Sequence, residues 1–245
     1  MTLAASMQGC SCHMLPSPKP EPQQSPASGA EERFLRLREQ MVREQLEGRD
    51  ITDPRVLDAM RRVPRHRFVP DQLVESAYED NPLPLILGQT ISQPYIVAYM
   101  TQVLGLQGRE HVLEIGTGSG YQAAILAELA AEVHTVEILP ELASRAQSLL
   151  SALGYRNIRL RSGDGYLGWP EAAPFDRIIV TAAPDHIPQP LIDQLAPGGK
   201  MVIPVGRLDQ DLILLEKNQE GVSRRSMIPV RFVPMTGKAL DVRKD

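Results

Sequence analysis

The sequence has few cysteines, no excess of positive charge and no long apolar run. Its two cysteines, Cys10 and Cys12, lie one residue apart, too close for a useful disulfide, so the fold does not depend on disulfides and fits a reducing compartment. The net charge of −4 argues against a protein that binds by neutralising phosphates, so no nucleic-acid partner is predicted. No run of about 18 apolar residues is present, so no membrane partner is predicted either.

Proline, by contrast, is plentiful, and many of the 21 prolines lie near the N-terminus. Residues 15–30 are rich in Pro, Ser and Gln with almost nothing to bury, so residues 1–30 are predicted to form a disordered tail. The first nine residues lack the basic and apolar regions of a secretory signal, which favours a cytoplasmic location over export. Cys10, Cys12 and His13 could ligate a metal, but without a fourth partner they are interpreted as incidental, and no metal site is predicted.

A helical period follows the tail. Apolar residues recur from Phe34 to Leu46 at three- and four-residue spacing, which predicts a helix that begins at Glu31 and ends at Gly48. A second short helix is predicted over 53–60, with Pro54 in its first turn. The basic run 65–67 is interpreted as the solvated face and exit of that helix.

From Glu110 onward, short β-like runs alternate with helical ones. Strands are predicted at 111–115, 133–138, 158–161, 177–182 and 201–205, and helices at 121–131, 140–153 and 190–195. This rhythm predicts an α/β fold with a doubly wound, mostly parallel sheet. The runs 211–217 and 227–234 are joined by a connection too short for a crossover helix, so they are predicted to pair antiparallel at the end of the sheet.

The strongest local signal is a strand that runs into a glycine-rich turn and then a helix, over 112–121. A dinucleotide fingerprint needs glycine at its sixth position, where this chain has Tyr121, so the pyrophosphate pattern fails. Glu114 instead places a carboxylate beneath the turn, which favours a ligand that carries an amino group and a sulfonium charge. The predicted cofactor is therefore S-adenosylmethionine.

Two further carboxylates follow neighbouring strands. Glu137 ends the second strand, where it can accept the ribose hydroxyls, and Asp164 follows the third, where it can hold the adenine amine. The predicted cofactor-binding residues are Glu114, Gly116, Thr117, Gly118, Gly120, Glu137, Asp164 and Gly165. A domain of the same fold that has lost its reaction is the alternative.

Two features of enzymes that methylate nucleic-acid bases are missing from the sequence, and this narrows the choice of methyl acceptor. The Asn/Asp-Pro-Pro-aromatic turn that holds a flipped base is missing after the fourth strand, where the chain reads Val-Thr-Ala-Ala-Pro-Asp over 180–185. The core has no cysteine to attack a pyrimidine ring. A carboxylate is already a nucleophile at neutral pH and needs positioning more than proton abstraction, so it is the simplest acceptor.

Longer stretches of the chain, from about Phe34 to Lys238, resemble the protein-L-isoaspartate O-methyltransferase family. The resembling stretches are 41–46, 63–70, 88–95, 195–200 and 230–237. The most specific is Gly-Gln-Thr-Ile-Ser-Gln-Pro-Tyr at 88–95, because it lies before the cofactor turn in a part that generic methyltransferases do not share.

The resemblance implies methyl transfer from S-adenosylmethionine to the free α-carboxylate of L-isoaspartyl residues in damaged proteins and peptides. The ester would then convert to a succinimide. It implies a Rossmann-like class I methyltransferase core at 109–240 with a C-terminal substrate strand, preceded by an N-terminal helical subdomain and substrate loop at 31–108. It makes Ser92 the catalytic position, where its hydroxyl would orient the acceptor carboxylate. The implied substrate residues are Thr90, Ile91, Gln93, Phe232, Val233 and Pro234.

Two points stay open in the sequence. Ser92-Gln93-Pro94 is also a good helix start, a role compatible with catalysis. The alternatives to the repair enzyme are another carboxyl or small-molecule O-methyltransferase, and an inactive adaptor that binds the methyl donor. Intact Ser92 and the three glycines favour activity. A monomer is expected.

Overall fold

The N-terminal part of the chain is helical. The structure is a computed structural model that describes residues 26–242, so most of the predicted tail, with Cys10, Cys12 and His13, lies outside the described residues. Helix α1 (Pro26–Met41) continues as a π-helical turn, Val42–Glu47, and ends at Gly48 as predicted, although it begins before Glu31. Helix α2 (Pro54–Arg62) is capped by Asp53, whose side chain accepts the Arg55 amide.

The basic run after α2 is not a solvated face. Arg65 and His66 are buried, and only Arg67 is exposed, so that interpretation is wrong for two of the three residues. The Arg65 Nε donates to the Ala77 carbonyl oxygen at 2.7 Å, and the guanidinium lies 4.9 Å from the Tyr121 ring centre. The His66 ring stacks on Phe34 of α1 at 4.2 Å. These contacts come from distant segments, so the local pattern does not reveal them.

A small hairpin that the sequence does not predict precedes the main sheet. Strands β1 (Leu83–Pro84) and β2 (Thr90–Ile91) pair antiparallel, with Leu83 opposite Ile91. Leu87 at its tip is 55% exposed and has a positive φ of 56°. Helix α3 (Pro94–Leu104) begins three residues after β2, which fixes Ser92 between the two elements.

The main sheet has seven strands in the order β5-β4-β3-β6-β7-β8-β9. The strands are β3 (His111–Ile115), β4 (Glu132–Glu137), β5 (Ile158–Ser162), β6 (Phe175–Val180), β7 (Leu195–Val205), β8 (Gln210–Asn218) and β9 (Gly221–Val230). The first five in this order are parallel, and β8 and β9 are antiparallel additions. The helices between them are α4 (Tyr121–Ala127), α5 (Pro140–Ala152) and α6 (Gln189–Gln194). This confirms the predicted doubly wound α/β fold.

Both faces of the sheet are buried, because neighbouring residues of one strand enter different apolar clusters. Val112 packs with the N-terminal helices, α3 and α4, whereas Leu113 and Ile115 pack with α6 on the other face. The N-terminal helices therefore share the core of the sheet. No helix in the described part of the chain is long and apolar enough to cross a membrane.

Several boundaries differ from those predicted. Helix α4 ends at Ala127, earlier than position 131, and β7 begins at Leu195, earlier than position 201. Strand β9 pairs antiparallel with β8 as predicted, but it ends at Val230. Residues 231–234 leave the sheet because the Val233 carbonyl accepts the Ala183 amide, at 2.8 Å. This departure takes the C-terminal segment across the carboxyl ends of the parallel strands.

Candidate active site

A cavity of about 590 Å³ lies at the carboxyl ends of β3, β4 and β6, where α/β sheets bind ligands. Three parts of the chain form its walls: the glycine-rich turn 116–120, the hairpin and start of α3 at 82–97, and the C-terminal segment 229–236. The predicted site residues that line it are Thr90, Ile91, Ser92, Gln93, Gly116, Thr117, Gly118, Glu137, Gly165, Phe232, Val233 and Pro234.

The turn after β3 depends on glycine at its first position. Gly116 has a φ of +96°, and a Cβ there would overlap the Thr181 Oγ1, which donates to the Gly116 carbonyl oxygen at 2.7 Å. Gly120 precedes α4 with a φ of +87°. A Cβ at Gly120 would press on the Leu150 side chain of α5, and Gly120 does not line the cavity, so this glycine shapes the turn.

Glu137 is the acidic side chain that faces the cavity. Its Oε2 accepts the Gly118 amide at 2.8 Å, and its Oε1 accepts the Leu139 amide at 3.0 Å. The side chain is thus held between the end of β4 and the turn after β3. It lies where the sequence analysis placed an acceptor for ribose hydroxyls.

Glu114 lies beneath the turn as expected, but its side chain does not line the cavity. It is fully buried, its Oε2 accepts a hydrogen bond from the Thr135 hydroxyl, and that hydroxyl lies 2.6 Å from the Thr117 hydroxyl. Burial raises the pKa of the Glu114 carboxyl to about 8. The group is therefore mostly protonated at neutral pH, which reduces the negative charge expected of it.

Asp164 also supports the site from outside. One carboxylate oxygen accepts the Tyr166 amide at 3.0 Å, and the other accepts the Lys238 amide at 2.8 Å. The neighbouring Gly165 lines the cavity, and a Cβ there would overlap the Ile115 side chain. Asp164 thus shapes the turn that presents Gly165.

Ser92 lines the same cavity as the glycine-rich turn. Helix α3 begins at Pro94 as expected, but its N-cap is Gln93, which makes no side-chain capping bond, so Ser92 does not cap the helix. The Gln93 side chain donates to the Asp80 carbonyl oxygen at 2.9 Å, and the Asp80 carboxylate accepts the Tyr95 amide at 3.3 Å. Asp80 therefore positions this segment, and the sequence alone offers no signal for that role.

The C-terminal segment is held by two partners. Gln210 of β8 accepts the Phe232 amide at 2.7 Å and donates to the Phe232 carbonyl oxygen at 3.1 Å. The Met235 amide donates to the Ala183 carbonyl oxygen at 2.8 Å. Arg231, at the start of this segment, is the one cationic side chain among the residues described as lining the cavity.

The fold and this cavity together define a methyltransferase of the doubly wound α/β class. A glycine-rich turn opens a helix at the point where strand order reverses, and an acidic residue ends the adjacent strand. The chain belongs to the protein-L-isoaspartate(D-aspartate) O-methyltransferase family, whose model matches residues 36–240.

Relatives with this family name cover most of the chain. A protein-L-isoaspartate O-methyltransferase from Picosynechococcus sp. is 59% identical over 201 residues, which is 82% of this chain and 90% of the relative. One from Gloeobacter violaceus is 58% identical over 198 residues, which is 80% of this chain and 97% of the relative.

Solved structures agree with the family. A protein-L-isoaspartate O-methyltransferase structure matches with a TM-score of 0.73 and 28% identity, over 85% of this chain and 66% of that chain. A Plasmodium falciparum protein, solved with S-adenosyl-L-homocysteine, matches with a TM-score of 0.70 over 81% of this chain and 98% of that chain. Because the two sequences are only 24% identical, this match supports the fold and nothing further. The family, the fold and the S-adenosylmethionine-dependent enzyme class predicted from the sequence are confirmed.

Proposed function

We propose that this chain methylates the free α-carboxylate of L-isoaspartyl residues in damaged proteins and peptides, with S-adenosylmethionine as donor. One observation carries this assignment: the Ser92 segment, the glycine-rich turn and the C-terminal segment line the same cavity. A donor and an acceptor bound in that cavity would lie side by side. The family membership supports the same reaction.

The chain's own residues fit the donor. Glu137 would hold the ribose hydroxyls, because it ends β4 at the cavity and its orientation is set by two backbone amides. Gly116, Thr117 and Gly118 would allow the donor to approach the backbone, and Gly120 would shape that turn where it packs against Leu150. Gly165, shaped by Asp164, would contact the adenine. Glu114 would support Thr117 through Thr135. When bound, S-adenosylmethionine supplies an electrophilic methyl group on a sulfonium.

Ser92 would act on the acceptor. Its hydroxyl would donate to one oxygen of the isoaspartyl carboxylate and so direct the other oxygen toward the methyl group. No proton needs to be removed, because the carboxylate is ionised at neutral pH. The ester carbonyl is then attacked by the next backbone nitrogen of the substrate, which releases methanol and forms a succinimide without further help from the protein.

The substrate would lie between the hairpin and the C-terminal segment. Thr90, Ile91 and Gln93 beside the hairpin and Phe232, Val233 and Pro234 of the C-terminal segment all line the cavity. An extended peptide bound mainly through its backbone would suit an enzyme that accepts many sequences.

We also propose that the protein acts as a cytoplasmic monomer without nucleic-acid partners. Sedimentation at neutral pH tests the oligomeric state.

Paired peptides test the assignment. Purified protein is given methyl-labelled donor and two peptides that differ only in L-isoaspartyl or L-aspartyl at one position. We expect base-labile methyl ester on the isoaspartyl peptide alone. Equal labelling of both peptides would point to a less selective carboxyl methyltransferase, and donor binding without labelling would point to an inactive adaptor.

A further inference from the structure

Among the described residues, two histidines and a glutamate meet near the amino ends of β3 and β4, whereas the cavity lies at the carboxyl ends. His111 and Glu132 are the first residues of β3 and β4 and are paired in register. His134 follows two residues after Glu132, so its side chain lies on the same face of the sheet. Two of the chain's five histidines therefore converge at one point.

The three side chains are spaced as metal ligands. The His111 Nε2 lies 3.0 Å from the His134 Nδ1 and 3.5 Å from the Glu132 Oε2. The three ligand atoms all lie within 4.8 Å of one another. Zinc bonds of about 2.0–2.2 Å at tetrahedral angles place two ligand atoms roughly 3.3 Å apart, close to both shorter distances. We propose that His111, Glu132 and His134 bind a zinc ion.

Neighbouring groups orient two of these ligands. The His111 Nδ1 lies 3.4 Å from the Pro174 carbonyl oxygen, which favours a proton on Nδ1 and leaves the Nε2 lone pair toward the other ligands. Glu132 uses Oε1 to accept the Arg159 Nε at 3.1 Å, so Oε2 is turned toward His111. Such outer partners are characteristic of metal sites and fix ligand orientation.

The surroundings are aromatic on one side and open on the other. The Trp169 ring centre lies 4.8 Å from that of His134, and the Phe175 ring centre lies 4.9 Å from that of His111. The His134 side chain is buried, whereas His111 and Glu132 are half-buried, so an ion could enter from solvent and keep a water as its fourth ligand.

The donor set favours zinc over the common hard cations. Two imidazole nitrogens and one carboxylate oxygen suit zinc and its transition-metal neighbours, whereas magnesium and calcium prefer oxygen ligands alone. Without an ion, the Nδ1 proton of His134 forms the hydrogen bond to the His111 Nε2. On binding, that proton is exchanged through solvent to the His134 Nε2, so both rings stay neutral while His134 Nδ1 and His111 Nε2 donate lone pairs to the metal. The ion would join β3 to β4 at their first residues, far from the methyl-transfer cavity.

The single tryptophan of the chain, Trp169, makes the site directly observable. The full-length chain carrying Cys10→Ser, Cys12→Ser and His13→Asn, which removes the other metal-ligand cluster, is titrated with zinc. We expect a saturable change in Trp169 emission at one equivalent, and a rise in Tm of roughly 5–10 °C at a hundredfold excess over Kd.

Two variants in that background locate the ion. His134→Gln and Glu132→Gln should weaken zinc binding by at least about tenfold, with unchanged circular dichroism when no metal is added. His186→Gln is the matched control, because His186 is bonded to Asp185 and Tyr166 after β6, and it should bind zinc like its parent. An unchanged Trp169 emission and Tm on zinc addition, or equal zinc affinity in all variants, would overturn the proposal.

Discussion

Ser92 owes its proposed role to its position between β2 and α3, where the hairpin and Asp80 hold the backbone. The side chain itself is small and contributes a single hydroxyl. Its effect on the reaction should therefore be that of one hydrogen bond to a charged acceptor, worth about 1.5–3 kcal/mol.

We predict that Ser92→Ala lowers kcat roughly 10- to 100-fold while the Kd for S-adenosylmethionine stays nearly unchanged. Kinetics of methyl-ester formation and calorimetric titration of the donor measure the two quantities. Ser148→Ala, which removes an exposed hydroxyl from α5, is the control and should match the parent. Lost donor affinity with normal turnover at saturation would show that Ser92 serves the donor instead.

Glu114 makes the stability of the protein depend on pH. Its pKa is about 8 in the folded protein and about 4.5 in the unfolded chain, so the folded state holds the proton more tightly. Stability from this group is complete below pH 4.5 and is lost as pH rises toward 8. This pH dependence is opposite to that of a salt-bridged carboxylate, whose contribution to stability is lost as the pH falls.

Glu114→Gln should remove that dependence, because an amide keeps the shape and can still accept from Thr135. Relative to this variant, the parent protein should lose about 3–4 kcal/mol of unfolding free energy between pH 5 and pH 8. Urea unfolding at several pH values measures the difference. Parallel pH profiles for the two proteins would contradict the raised pKa.

At the scale of elements, the turn after β3 should tolerate substitution poorly, because the backbone of Gly116 lies close to the Thr181 side chain. We predict that Gly116→Ala weakens donor binding and destabilises the protein by more than the roughly 1–2 kcal/mol that a positive φ costs a residue with a Cβ. Gly154→Ala is matched to it, since Gly154 also has a positive φ, of 88°, but no atom within 4 Å of a Cβ. Urea unfolding and donor titration measure the two losses. Equal losses of stability and of donor affinity in both variants would show that backbone strain alone, and not the contact with Thr181, explains the effect.

The sequence predicts most of the sheet because buried parallel strands are short apolar runs separated by helices and glycine turns. The carboxyl ends of such strands share one edge, which is why Glu137 and the glycine turn could be assigned to one site. The burial of Arg65 and the withdrawal of Glu114 from the cavity depend on Ala77, Thr135 and other distant partners. Such contacts leave no local pattern. The β1–β2 hairpin is too short for alternation to mark it.

At the scale of the whole molecule, the proline-rich N-terminal residues precede both the family match and the first described core residue. The first buried apolar side chain among the described residues is Phe34, and the family match begins at residue 36. We predict that deletion of residues 1–25 leaves Tm and isoaspartyl methylation unchanged, because that segment offers little apolar surface to bury.

Calorimetry and the paired-peptide assay measure this prediction. A deletion through residue 41 is the contrasting variant, since it removes Phe34 and Met41 from the core and should lower Tm strongly. Loss of activity on deletion of residues 1–25 alone would assign the tail a part in catalysis.

The C-terminal segment that lies across the strand ends makes assembly of the cavity depend on synthesis through residue 236. One wall of the cavity comes from residues 229–236, near the end of the chain, and is held there by Gln210 and Ala183. A nascent chain that already contains the glycine-rich turn and Ser92 still lacks this wall. We therefore expect the cavity to be complete only once the chain has been synthesised through residue 236, and a chain that stops within β9 to lack this wall.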